Sequence, residues 1–357
     1  MFNSKIKIYA SKILFSLHTF SLVYLIGSMS GLSAEETVQY SLLWNEDGSN
    51  WPDSDNILRD FTDVGYKLGN EAIPDWPVWK SITEYGANPD DAISDVDALR
   101  QAIDECPPYH AIFIPNGKFI IDEQIIVTSD NIVIRGESRD NAILFFPLHM
   151  NEILQTDTSN NRYFIVFSGG QNRGIENLSL AFRDERHATG SYHGDPHWFF
   201  SGEAAITFIN GETDSWIRNV YIKNSYHAIK VDSRDTKQIS ILDIVLDQFI
   251  GRGSEGSEWV GHMGILFINS PSRCLVHNVL ITGVWRHDLC VMGVKDSVFS
   301  RIKGKNMRVD HHAGGNALNL YTEIDTGFGG RGFGGMILTV QKKLIGELRA
   351  FNRQAWL

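Results

Sequence analysis

Short runs of alternating apolar and polar residues, each carrying an Asn or Asp at one fixed place, recur along this chain. Ile175-Glu176-Asn177-Leu178-Ser179-Leu180 is echoed by Ile217-Arg218-Asn219-Val220-Tyr221-Ile222 and by Val276-His277-Asn278-Val279-Leu280-Ile281. An earlier copy lies at Asp130-Asn131-Ile132-Val133-Ile134, and Asp243 replaces the Asn in Leu242-Asp243-Ile244-Val245-Leu246. The Asn/Asp positions 131, 177, 219, 243 and 278 are separated by 46, 42, 24 and 35 residues, and Ser300 before Arg301-Ile302 extends the series by 22. One unit of 24, two near-doubles and one unit lengthened by an insertion fit these spacings. A repeat of 20–50 residues with a short strand triplet per unit predicts a stacked solenoid. Alternating strands with almost no helix make that solenoid a parallel β-helix, all-β in class. Asn side chains directed inward at equivalent turns would hydrogen-bond up the stack. A sandwich with coincidental Asn-apolar pairs is the alternative.

Strand patterns begin at Ala111-Ile112-Phe113-Ile114-Pro115 and continue through 119–121, 124–128, 131–136, 205–249 and 264–303. Before them, Ile93, Val96, Leu99 and Ile103 recur at helical spacing, Ser94 with Asp97 resembles a weak capping box, and Pro107-Pro108 ends the segment. A helix there would cover the open first coil of a β-helix, which otherwise exposes apolar interior and unpaired backbone. Residues 35–80, rich in Trp (44, 51, 76 and 79), predict an irregular N-terminal extension lying along the main domain. The β-helix domain is expected over 81–330, and residues 331–357 read as a Gly-rich loop and tail. Two stretches, 183–202 and 250–262, break the period and are expected to project as walls of a binding face. They bring Trp198 and Trp259, which are expected to contribute to substrate binding there.

Residues 1–34 carry Lys5, Lys7 and Lys12, an apolar stretch from Ile13 to Ile26, and small residues up to Ala34. That is the plan of a secretory signal, so a secreted or periplasmic protein is expected. Its removal moves the net charge from −11 to about −14. An acidic body does not hold nucleic acid or an acidic membrane by its overall field. A monomer is the expected state. Cys106, Cys274 and Cys290 make no disulfide framework and no zinc spacing, and the last two sit in strand-like runs as small hydrophobes.

The charge is locally reversed between Arg286 and His312. Six Lys/Arg (286, 295, 301, 303, 305 and 308) face three Asp (288, 296 and 310), with His287, His311 and His312 among them. Such a strip suits an anionic substrate, and a solvated face with chance clustering of charge is the alternative. Aligning the coils by their Asn brings Arg286, His287 and Arg308 toward His311 and His312. Elimination beside a carboxylate needs a cation at that carboxylate, a base for the adjacent proton and an acid for the leaving oxygen. Here His311 and His312 are the candidate proton-transfer residues, Asp310 the group that orients an imidazole, and Arg286, His287 and Arg308 the substrate-binding set. The cofactor is left open: Ca²⁺ could supply the cation in place of Arg, although no motif supports a site for it. Hydrolysis needs two carboxylates at a set separation; Asp243, Asp247, Glu255, Glu258, Asp310, Glu323 and Asp325 are candidates, and no spacing singles out a pair. His187, His193 and His197 match no familiar ligand spacing.

Tyr85-Gly86-Ala87-Asn88-Pro89-Asp90-Asp91, followed by Asp95 and Ala98-Leu99-Arg100-Gln101-Ala102-Ile103, resembles the leader of pectate-lyase-superfamily β-helix proteins. Ile112-Phe113-Ile114-Pro115-Asn116-Gly117-Lys118-Phe119 is similar to the strand that follows it there. The stretch Val309-Asp310-His311-His312, with Asn319 to Gly327, resembles one in large secreted bacterial β-helix proteins, which continue for further coils. The resemblance spans about 85–330 and implies a right-handed parallel β-helix with an N-terminal capping helix. It also implies a polysaccharide-active protein, with lyases, glycoside hydrolases and phage tail-spike proteins among its members. Cleavage of an acidic glycan by β-elimination is the expected activity, with hydrolysis or non-catalytic carbohydrate binding as alternatives. N-terminal sequencing of the protein exported by its host should begin near Glu35, and an intact Met1 form in soluble cytoplasm would contradict the signal.

Overall fold

A computed structural model describes residues 61–148, 150–154, 162–183, 203–248, 261–283, 285–304, 307–312, 315–327 and 332–334. Among these, thirteen strands form one sheet and eight form another, with every registered pairing parallel. Parallel strands joined coil by coil give a right-handed winding, because a right-twisted strand packs back onto its sheet only that way. The long sheet supplies two faces of each coil. In early coils the faces are separate strands, such as Arg173–Glu176 and Ser179–Phe182, whereas Ser240–Asp247 runs through both. The short sheet is the third face, from Ile125–Val127 through Tyr163–Ser168, Ala204–Ile209, His227–Asp232, Gly261–Ile268 and Trp285–Val291 to Arg308–His311.

The apolar repeat becomes columns of like side chains. Ile112, Ile134, Ile175, Ile217, Ile241, Val276, Phe299 and Tyr321 occupy one register, all buried. Ile165, Ile206, Ile229, Ile265, Leu289 and Val309 form a matching column on the short sheet. β-Branched side chains fit this pleated stacking, which explains the Ile-rich pattern. The helix Val96–Glu105 seals the first coil with Val96, Leu99, Ala102 and Ile103, as expected. Ile93 is not part of that face and is 71% exposed. The helix starts at Asp95 rather than Ser94. Asp95 caps no helical N–H but accepts from the backbone of Asn88 and Ile120, tying the helix to the coil below.

The Asn column exists, but not inside the turns. Asn177, Asn219, Asp243 and Asn278 lie in register at φ of 56°, 52°, 57° and 56°, and their side chains are half-buried or exposed. Asn tolerates this left-handed geometry better than most residues, so a corner conformation accounts for the recurrence. The side chains still pair: Asn219 Nδ2 donates to Asn177 Oδ1 at 2.9 Å and Asn278 Nδ2 to Asp243 Oδ1 at 2.6 Å. Asn131 belongs to a second column, with Asn172, Asp214 and Gln238, because Ile132 is registered opposite Arg173. Arg301, not Ser300, continues the first column, followed by Glu323 at 2.6 Å.

Residues 61–77 run along the outside of the long sheet against the direction of coiling. Phe61 and Val64 pack on Leu275, Val298 and Leu320 of late coils. Gly65 N–H donates to Arg273 O, and Tyr66 N–H to Ser240 Oγ. Tyr66 and Trp76 meet Trp216, and Trp76 O accepts from Arg135. Val78–Ser81 then joins the long sheet as a strand beside His110–Ile114, so regular structure starts inside the stretch expected to be irregular. Gly332–Gly334, expected as loop, adds a strand beside Arg308–Asp310. Cys106, Cys274 and Cys290 are free and buried. Residues 1–34, most of 183–202 and 250–262, and the tail from 335 lie outside the described residues.

Asn219→Gly and Asn219→Ala both remove the side-chain bond to Asn177, but only Ala keeps a Cβ at φ 52°. Left-handed backbone costs an L-residue roughly 1–2 kcal/mol, against roughly 0.5–1 kcal/mol of extra chain entropy for Gly. Denaturant titration should therefore find the Gly variant more stable than the Ala variant. The reverse order would contradict the corner assignment.

Candidate functional site

Alternation along Arg308–His311 divides the sequence-predicted residues between two sides of the short sheet. Val309 and His311 are registered opposite Leu289 and Val291, which are core residues. His311 is accordingly buried, with its ring 5.2 Å from that of Tyr321. It stands on the inner side, away from the face where its expected partners meet. Asp310 is registered opposite Cys290 on the outer face, and His312 follows on the same side.

There, His287, Arg308, Asp310 and His312 come together. His287 Nδ1 lies 3.0 Å and His312 Nδ1 3.2 Å from the same oxygen, Asp310 Oδ2. Arg308 approaches the other oxygen at 3.8 Å, and its backbone N–H donates to Asp288 at 2.7 Å. Asp310 and His287 are buried, whereas the His312 side chain is 56% exposed. One imidazole is thus built into the wall and the other presents itself to solvent. Burial alone would raise the Asp310 carboxyl. Pairing with His287 and the positive charges of His287, Arg308 and His312 override it and hold the group at about 2. Asp310 is a fixed anion, able to orient an imidazole but not to donate a proton near neutrality. The Cys290 thiol, 3.9 Å from Asp310 Oδ2, is pushed up by burial and then by that carboxylate, so it is no thiolate nucleophile.

Two further imidazoles extend the group across the sheet. Ring centres run His227 to His262 at 5.5 Å, His262 to His287 at 5.7 Å, and His287 to His312 at 6.2 Å. Burial, followed by repulsion from His287, Arg286 and His312, lowers His262 to about 4. Arg286, half-buried, therefore belongs to the same electrostatic neighbourhood. Sequence alignment on the Asn corner missed His227 and His262 as partners. Alignment on the third-face strands exposes His227, since it precedes Ile229 as His287 precedes Leu289 in one register; Met263 holds that register between them, and His262 stands one place earlier.

Of the carboxylates considered for hydrolysis, Asp310 is the one the described short sheet carries. Asp243 and Glu323 sit at the left-handed corner, Asp247 is engaged by Tyr221 and Thr282, and Asp325 accepts from Gly327 N–H. Glu255, Glu258, Trp198 and Trp259 fall outside the described residues. Among the described residues, no group of three or more His, Cys, Asp or Glu is arranged to hold a metal ion.

Residues 79–161 match the family model described as Rhamnogalacturonase A/epimerase, pectate lyase-like. No curated protein sequence matches the chain. Among solved structures, it is similar to the family 28 exopolygalacturonase of Yersinia enterocolitica, at 12% identity and a TM-score of 0.45 over 74% of this chain and 56% of that one. A hyperthermoactive exopolygalacturonase from Thermotoga maritima aligns at 12% identity and 0.43, over 71% of this chain and 74% of that one. An iota-carrageenase bound to iota-carrageenan fragments aligns at 14% and 0.44, over 74% and 57%. The chain thus spans little more than half the length of the Yersinia enzyme and of the carrageenase. The chain is a right-handed parallel β-helix, and residues 79–161 are the part of it that is similar to the pectate lyase-like family model.

Proposed function

We propose that this protein is a carbohydrate-active enzyme that cleaves an acidic polysaccharide laid along the outer face of the short sheet. The observation that carries this is a single buried carboxylate, Asp310, shared by a buried and an exposed imidazole with Arg308 beside it. In this reading His312 transfers the proton at the scissile bond. Asp310 fixes its tautomer, since the Nδ1 that faces the carboxylate carries the hydrogen and leaves Nε2 for the substrate. Arg286 and Arg308 take the sugar carboxylate, for which a planar guanidinium is suited. His287 holds Asp310 in place from the buried side.

Two routes use this set. Hydrolysis is supported by the description of the matched family model, and it requires an acid on the leaving oxygen. Asp310 does not fill that role at about 2, so His312 as imidazolium would. β-Elimination is the second route. It is favoured by the same observation, because a positioned imidazole beside guanidinium groups meets its needs without a second carboxylate.

Incubation with a panel of acidic and neutral polysaccharides tests both. New reducing ends without ultraviolet absorbance indicate hydrolysis, and an absorbing unsaturated product indicates elimination. His312→Ala should lower kcat by roughly 10²–10⁴-fold with an unchanged circular dichroism spectrum. Near-full turnover by that variant would remove His312 from the mechanism.

A further inference from the structure

The short sheet carries a second polar cluster in register with the first. Ile229 and Val231 are core residues, so Lys230 and Asp232 stand on the outer side, as Asp310 does. Lys230 Nζ lies 3.0 Å from Asp232 Oδ2 and donates to the Tyr163 hydroxyl at 3.1 Å. Asp232 Oδ1 accepts from Asn269 Nδ2 at 2.7 Å. Burial alone would lower the Lys230 ammonium; Tyr163 and Asp232 outweigh it and raise it, so the cation persists at neutrality. Residues registered with Lys230 on the neighbouring strands are Thr207 and Leu266, then Val166 and Cys290. Among such neighbours, a partly buried ion pair adds little stability that an apolar pair would not supply. Neither Lys230 nor Asp232 is a left-handed corner residue, so the fold itself does not ask for this pair.

Between the two polar clusters lies an apolar floor. Met263, Leu266 and Cys290 are buried, and the half-buried Ile268 and Met292 pack against them. Register carries Lys230 through Leu266 and Cys290 to Asp310, three strand spacings or about 14 Å away. Polar ends and an apolar middle match a sugar chain, whose rings present hydroxyls at their edges and C–H groups on their faces. An ammonium donor beside a carboxylate acceptor, with no net charge, suits adjacent hydroxyls rather than a carboxylate.

We infer that Lys230, Asp232 and Asn269 form a remote subsite that binds the hydroxyls of a sugar in the same glycan whose cleavage takes place beside His312. The inference rests on the glycan-cleaving reading and adds the direction and minimum length of the substrate. The chain runs along the solenoid axis and must be long enough to reach from His312 to Lys230. Contacts made that far from the reacting bond raise kcat/KM for chains that reach them and not for shorter ones.

Steady-state kinetics of the full chain on size-fractionated oligomers of polygalacturonate, alginate and iota-carrageenan test this. For the polymer that is cleaved, kcat/KM should step upward once oligomers span about 14 Å. Lys230→Met should shrink that step roughly tenfold or more, the range for a hydrogen bond to a charged group, and leave short oligomers unaffected. Asn269→Gly keeps the corner at φ 64° and should shrink the step roughly 2- to 10-fold. A kcat/KM independent of chain length would overturn the subsite, and so would a step that both variants leave intact. Equal losses by both variants on short and long oligomers would overturn it as well. No turnover of any of the three polymers would remove the cleaving reading and the subsite with it, whereas turnover without the step removes the subsite alone.

Discussion

From Asn177 onward, the described coils of this solenoid bend through a residue held at positive φ, and the register of those coils depends on that corner. Asn177, Asn219, Asp243, Asn278, Arg301 and Glu323 share the conformation although they do not share a side chain. The corner fixes where one strand ends and the next begins, so an apolar side chain in one coil lands on its equivalent in the next. Parallel pairing then repeats the match without a slip, because a shift of one residue would turn the Ile columns outward. Side-chain bonds between successive Asn are a consequence of this alignment rather than its cause.

The same register produces the candidate site. Strands of the short sheet present Cys290 beside Asp310 and Met263 beside His287, so polar groups from four coils fall on one line. No local motif creates that line. It arises because residues some 25 positions apart are one strand spacing apart in space, about 4.8 Å. The long sheet is occupied instead by residues 61–77, which lie across it from Leu320 to Arg135. One flank of the solenoid is thereby covered by its own chain, while His312 on the short sheet stays open to solvent.

Much of the fold was legible because Asn advertises a left-handed corner and Ile advertises a stacked interior. Legibility failed where the corner residue carried no signature. Arg301 and Glu323 look like ordinary strand residues, which is why the sequence pattern points to Ser300, one place early. Asn131 misled for the opposite reason: two columns use Asn, and spacing alone does not separate them. The extension at 61–77 was unreadable in detail because its partners, Asp214 and Ser240, lie 147 and 174 residues away from the groups they meet. At the site, the cluster of Arg, His and Asp was visible as composition. Its division was visible only as alternation, which sends His311 inward and leaves Asp310 and His312 outside. His227 and His262 stayed hidden because insertions separate their coils from Arg286-His287 by uneven distances.

An acidic glycan is proposed to lie on the outer face of the short sheet, across the strands 285–291 and 308–311. Hydrogen–deuterium exchange with and without an acidic oligosaccharide tests it most directly. Slowed exchange concentrated in peptides covering residues 227–232, 261–268, 285–291 and 308–312 is the predicted result. Slowed exchange confined to residues 61–77 or to the long sheet, with those peptides unchanged, would contradict it.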